Sequence, residues 1–205
     1  MPTPVLLSVK SAVIGLLILT GCAVSCKRDG GRTAATLNPA STAAVRAQHA
    51  ALRDSVDLNW RRMTESDDQK IGLTRLLLRE LRGQSGVDAA RLPGLERANA
   101  RLSARRYTQQ TMASSALIDQ YDAAQDSLLH VLYPLAAPNG AAPTENTRNF
   151  VEGLQQLDAG VVGFRVQYDR AAKHYNDYLQ LHQAELQAPG GPPESTPLPL
   201  FTVAN

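Results

Sequence analysis

Apolar side chains recur through the C-terminal part of the chain in alternating steps of four and three: Phe150, Leu154, Leu157, Val161, Phe164, Tyr168, Ala171, Tyr175, Tyr178 and His182. Such steps sum to a seven-residue repeat, which lies on one face of a helix and asks for a long partner seam. Asn146 or Thr147 can cap the start of this segment, and Pro189 with Gly190 can end it. A helix of about 40 residues is roughly 60 Å long. A second segment opens at Leu92-Pro93, with proline tolerated in a first turn. It carries Leu95, Leu102, Leu117, Tyr121, Leu128 and Leu132 and is expected to stop before Pro134, with many inward alanines that let helices approach closely. The first segment, from about Thr42, shows Val45, Leu52, Val56, Trp60 and Met63, then resumes at Ile71, Leu73, Leu77, Leu78 and Leu81. Residues 64–70 (TESDDQK) interrupt it with polar side chains, as a bend or as one solvated turn of a continuous helix. No Gly or Pro occurs between Ala43 and Ile71, which favours the continuous helix.

Breakers gather in residues 83–91 (GQSGVDAAR) and 134–145 (PLAAPNGAAPTE), and strand-period alternation is absent. Long helical segments joined by reversing loops predict an all-α fold, an antiparallel bundle of three long helices, or four if residues 64–70 break the first. One domain, residues 44–187, suffices. Residues 188–205 form a Pro/Gly-rich C-terminal tail ending in a short apolar patch, Leu198, Leu200 and Phe201.

The N-terminus has a different character. Lys10 precedes a mostly apolar run, Ser11 to Thr20. About ten residues is too short for a bilayer span, which needs roughly 20, and suits the core of a secretory signal over residues 1–21. Leu19-Thr20-Gly21-Cys22 then reads as a lipobox, an apolar residue and two small ones before the cysteine whose thiol takes the diacylglycerol. Ala23-Val24-Ser25-Cys26 is a poorer second candidate, with alanine in place of the large aliphatic residue. Residues 22–43, small, polar and Gly/Pro-punctuated, read as a flexible tether. Each buried acyl methylene adds about 0.8 kcal/mol, so several chains anchor a protein firmly without a transmembrane helix. The expectation is a lipid-anchored protein on the non-cytoplasmic side of the cell envelope. Ala23 stands where an aspartate can favour inner-membrane retention, which tilts the expectation toward the outer membrane.

Composition adds exclusions. A net charge of +2 from 21 basic and 19 acidic residues gives no electrostatic case for nucleic acid. The arginines at 61, 62, 79, 82, 101, 105 and 106 are spread over separate segments, so no single phosphate-binding groove emerges. With Cys22 acylated, no disulfide framework can be drawn from two cysteines. His174 and His182 lie eight apart, where a metal pair on one helix would lie three or four apart, and no Glu-x-x-His pair accompanies them. His49 and His130 would have to converge from other helices. Asp119, Asp122 and Asp126 line one side of the second segment as a solvated acidic face or as a cation or partner patch, and Asp67-Asp68 reads as a bend or a water-exposed turn. There is no phosphate loop, nucleophile elbow or positioned base, so neither an enzyme nor a cofactor is expected.

Tyr168, Tyr175 and Asn176 are the candidate interaction or seam residues. Tyrosines seven apart share a helix face, either as a ligand-facing ladder or as seam positions whose hydroxyls bond across to the next helix. Asn176 beside them can fix helix register, as a buried asparagine does in a coiled coil.

Residues Tyr168 to Asn176 (YDRAAKHYN) resemble the LemA family pattern YN-x-x-V-x-x-YN. Trp60 with Met63, Tyr133-Pro134, and Asn149-Phe150 with Leu157 resemble further motifs in the family's order, so the likeness covers roughly residues 60–176. The departures are specific. Tyr168-Asp169 replaces the first YN, Ala172 stands where valine is usual, and residues 72–77 (GLTRLL) keep only the leucines of DLIPNL. The spacing from Phe150 to Tyr168 is short. The FP after the last YN is missing, unless Pro199-Leu200-Phe201 substitutes for part of it. The resemblance implies an all-α antiparallel bundle with an N-terminal membrane attachment and little about mechanism.

Two functional expectations follow. The first is a non-enzymatic helical scaffold or protein-interaction module that binds an envelope protein or self-associates. The alternative is a bundle that takes a small molecule or lipid between its helices, at the alanine-lined seam and the Tyr168/Tyr175 face.

Overall fold

The computed structural model describes residues 39–137, 142–192 and 195–201, and among them the chain is all-helical, with no strand. The elements are α1 (Pro39–Arg82), α2 (Leu92–Arg105), a single 3-10 turn (Thr111–Ala113), α3 (Ser115–Ala136), α4 (Glu145–Leu181) and α5 (Gln183–Gln187). The signal segment, Cys22 and the tether up to residue 38 lie outside the described residues. No helix of the described residues is long and apolar enough to cross a membrane.

α1, with 44 residues, is already helical at Pro39, inside the stretch read from the sequence as tether. It runs unbroken through residues 64–70 because the seam does not stop there. Met63, Asp67, Lys70, Thr74, Leu77 and Leu81 keep the steps of four and three, and all six are buried. α1 and α4 run antiparallel along this seam. The Tyr178 hydroxyl donates to the Val45 carbonyl at 3.2 Å, His49 meets Tyr175, Lys70 meets Asp158, and Gln84 just past α1 donates to Thr147 Oγ1 at 2.6 Å. Partners ascend on α1 as they descend on α4.

The second segment is not one helix. α2 ends at Arg105, Arg106 turns extended (φ −62°, ψ 132°), and α3 begins only at Ser115. Local side-chain bonding replaces the helical ladder in between. Thr108 N–H donates to Thr111 Oγ1 at 2.8 Å, and Thr111 N–H donates back to Thr108 Oγ1 at 3.2 Å. Threonines compete with helix in this way without any Gly or Pro. The break turns Tyr107, Gln109 and Met112 inward, all buried. α3 also passes Pro134 and ends at Ala136. A proline this near a helix end forfeits only one intrahelical bond. α4 starts earlier than expected, at a Thr144 cap whose Oγ1 accepts from Thr147 N–H at 3.2 Å.

Two apolar clusters fill the interior. One gathers Leu77, Leu78, Leu81, Leu92, Leu129, Leu132, Leu135, Ala136 and Leu154. The other holds Val56, Met63, Tyr107, Met112, Tyr121, Tyr168, Ala172, Tyr175 and Leu179 among its members, with Leu198, Leu200 and Phe201 packed against it. The C-terminal segment is thus docked on the helices. Its approach is set at the end of α5, where Arg46 donates to the Ala188 and Pro189 carbonyls at 3.0 Å each and Gly190 takes φ +81°. A Cβ on Gly191 would stand 1.9 Å from the Leu186 carbonyl oxygen. Gly191→Ala should therefore open this turn and cost about 2 kcal/mol in chemical denaturation, within the range of single backbone clashes. An unchanged midpoint would show that the turn is not fastened.

Candidate functional site

Two side-chain constellations stand out. The first is polar and lies where the two apolar clusters meet. α1 contributes Asp67, Lys70 and Thr74, and α3 contributes Gln125, all buried. Heptad spacing turns the α1 residues inward, where charges from other parts of the chain meet Lys70 and Asp67. Lys70 Nζ donates to Asp158 Oδ1 of α4 at 2.8 Å. Arg165 of α4 donates to Asp122 Oδ1 of α3 at 2.7 Å and to the Tyr107 hydroxyl at 3.4 Å. Arg106 donates to Asp68 Oδ1 at 2.8 Å and to the Thr64 carbonyl at 3.1 Å. A cleft of about 210 Å³ opens over this group, lined by Asp67, Lys70, Asp122, Gln125, Asp158 and Arg165 among others.

Burial raises the Asp67 carboxyl above its ordinary value, against the pull of Lys70 and Arg106. Burial likewise pushes the Tyr107 hydroxyl up to about 12, and Tyr121 is raised by burial and then by the Asp67 charge. Both phenols stay protonated at neutral pH. Arg165 is held charged by Asp122 and Tyr107 despite its own burial. Lys70 thus pairs with Asp158 and Arg165 with Asp122, while Asp67 and Asp126 add two further carboxylates to the cleft lining. Among the described residues no group of three or more His, Cys, Asp or Glu side chains is placed to hold a metal ion.

The second constellation is aromatic and contains the sequence candidates. Tyr168 is fully buried, its ring edge-on to Trp60 at 5.5 Å and to Phe201 at 5.7 Å, and its hydroxyl donates to the Pro199 carbonyl at 3.2 Å. Burial pushes that hydroxyl up to about 12. Tyr175 is buried one heptad on, its hydroxyl 3.3 Å from His49 Nε2 and its ring 5.2 Å from the imidazole. The Asn176 amide bonds the C-terminal segment at Leu198. Tyr168 and Tyr175 share the seam, and both rings are buried.

The four histidines do not converge. His130 and His174 are exposed, His49 is buried against Tyr175, and His182 stacks on Tyr178 at 4.3 Å beside Glu185. Of the aspartates on α3, Asp122 is tied to Arg165, while Asp119 and Asp126 are exposed. Asp67 is the correction to the expected polar turn, since it is buried whereas Asp68 is exposed. Sequence reading passed over Arg165, Tyr107 and His49 as site members. The signal for His49 was available, because it falls in step between Val45 and Leu52 on the α1 seam.

Burial, and then the nearby Arg53 charge, lower the proton affinity of His49 below the ordinary 6.5. The unfolded chain then binds this proton more readily than the folded one. The stability contributed by a neutral His49 is complete above pH 6.5 and is lost as pH falls below it. Thermal melts at pH 7.5 and 5.5 should show a larger acid loss for the native chain than for His49→Gln. Equal losses would contradict a buried neutral imidazole.

Comparison with protein-family models, curated proteins and solved structures returns no match for this chain.

Proposed function

We propose that this chain is a lipid-anchored protein of the cell envelope, acylated at Cys22, whose helices form an antiparallel bundle similar to that of LemA proteins. The bundle serves as a non-enzymatic scaffold or protein-interaction module. The lipobox Leu19-Thr20-Gly21-Cys22 carries the anchoring part of this reading. The interaction part is carried by one face of α4, where Val162 is 68% and Val166 is 48% exposed beside the glycine at 163. Two large apolar side chains one turn apart on the outside of a helix offer a site for a partner. The order of the LemA-like residues supports the family likeness, with Trp60 in α1, Tyr133-Pro134 in the last turns of α3, and Asn149-Phe150 in the first turns of α4. The Lys70–Asp158 and Arg165–Asp122 pairs support a structural role for the polar cleft. The small-molecule alternative has less support, because the rings of Tyr168 and Tyr175 are packed against Trp60, Phe201 and His49.

Replacing Cys22 with serine should move the protein from membrane to soluble fractions while its helical circular dichroism stays the same. Continued uptake of labelled lipid by Cys22→Ser would refute the anchor. Light scattering and affinity capture on the detergent-solubilised protein test the module. A monomer that captures no envelope protein would refute it.

A further inference from the structure

The segment after α5 returns along α4 and is held there through its own backbone. Asn176 Nδ2 donates to the Leu198 carbonyl, and the Leu198 N–H donates to Asn176 Oδ1, both at 2.8 Å. One amide side chain thereby reads both polar groups of one residue. Asp169 Oδ1 accepts from the Phe201 N–H at 2.8 Å. Asp169 and Asn176 are seven residues apart on a helix, about 10.5 Å along its axis. Leu198 and Phe201 are three residues apart, which an extended chain covers in about 10 Å. The two anchors are therefore in register with an extended peptide running antiparallel to α4.

Between and beyond the anchors the side chains add selectivity. The Phe201 ring lies edge-on to Tyr107 and Tyr168, with centroids 5.8 Å and 5.7 Å away, and the Arg165 guanidinium is 5.1 Å from its centroid. Pro197 and Pro199 flank Leu198 and have no N–H of their own. They favour the extended backbone that presents Leu198 to Asn176. None of these contacts needs the covalent link to α5. The groove also continues past the segment, as a cavity of about 400 Å³ lined by Leu179, Gln183, Leu186, Ser195 and Pro197 among others.

We propose that Pro197–Phe201 is an internal ligand in a peptide-binding groove on α4, and that the groove takes in its place an extended partner-protein segment of the pattern Pro-apolar-Pro-apolar-aromatic. The proposal rests on the interaction-module reading and names its site and its ligand class. Asn176 and Asp169 supply the backbone anchors, and Tyr107, Tyr168 and Arg165 form the aromatic pocket. An internal ligand on a short link has an effective concentration of order millimolar, so a partner segment binds well only once the internal one is loosened.

The test uses the full-length chain and a labelled synthetic peptide with the sequence of residues 196–201 (TPLPLF), followed by fluorescence anisotropy. Phe201→Ala should bind the peptide about tenfold more tightly than the native chain, because the pocket is vacated. Asn176→Ala in that background should weaken binding about tenfold, the loss of one well-made pair of hydrogen bonds. N-methylation of the leucine between the prolines, which removes its N–H, should do the same. If Phe201→Ala loses helix by circular dichroism, Leu198→Pro serves instead, since it removes the N–H given to Asn176 and leaves the aromatic pocket intact.

Equal binding by native and loosened chains, or binding indifferent to Asn176→Ala, would overturn the proposal. A native chain that dimerises by exchanging its C-terminal segments would overturn the assignment to a partner protein. The two readings fail separately. Peptide binding by a chain that captures no envelope protein keeps the groove and removes the module, whereas capture without peptide binding removes the groove alone.

Discussion

Tyr168→Ala is expected to destabilise the protein by about 3–5 kcal/mol, the range for deleting a fully buried aromatic ring. The ring touches Trp60 of α1 and Phe201 of the C-terminal segment, and it belongs to the cluster that also includes Tyr107, Tyr121 and Tyr175. Its loss leaves a cavity that three separate parts of the chain would have to collapse into. Tyr168→Phe separates the ring from its hydroxyl. It removes the 3.2 Å bond to the Pro199 carbonyl and should cost about 1 kcal/mol. Urea unfolding followed by circular dichroism gives both values. The single tryptophan, Trp60, provides a second reading, because its emission should shift on loss of the Tyr168 ring. An alanine variant within about 1 kcal/mol of native, below the cavity range, would mean that the aromatic cluster does not organise the fold.

Lys70→Met should be the next most costly change. The Lys70 side chain is 6% exposed, and it faces Asp158 and the buried Asp67 carboxyl. Removing one member of a buried charge group usually costs about 3–5 kcal/mol, because it strands the other. Here Asp158 is 49% exposed and can be solvated, so its share is small and the total is expected near 2 kcal/mol. Most of that loss comes from Asp67, so the same substitution in an Asp67→Asn background should cost under about 1 kcal/mol. Equal costs in both backgrounds would show that the two side chains are not coupled.

The pH dependence of Asp67→Asn has a fixed sign. Asp67 binds its proton more readily in the folded chain than in the unfolded one, where its value is the ordinary 3.8. Native stability from this group therefore falls as pH rises above 3.8 toward the folded value, and the cost of the buried charge stays in full beyond it. Asp67→Asn should gain on the native chain between pH 4 and pH 7.

These two sites differ in how much of them the sequence disclosed. Tyr168 and Tyr175 were legible as a pair sharing one face, because helical geometry alone brings residues seven apart together. Asp67 and Lys70 were equally in step with Met63 and Leu77, yet their polarity masked them. A charged side chain in a seam position carries no mark of whether water or a counter-charge will meet it. Asp158 and Arg106 decide that, one on α4 and the other just past the end of α2. The break at residues 106–114 was hidden for a related reason. Thr108 and Thr111 end a helix by bonding to each other's backbone, a preference weaker than that of glycine or proline.

Asn176 shows the same limit from the other side. Its place beside the Tyr168–Tyr175 stripe was visible, but its partner was sought on a neighbouring helix and found on the C-terminal segment. What the sequence determined unaided was the helical class and the face that α1 and α4 turn inward, since periodicity of apolar residues encodes these locally. The tertiary structure alone decided which charges meet a counter-charge, and that residues 195–201 lie along α4. Both depend on contacts between residues far apart in the chain, whose energies no local pattern records.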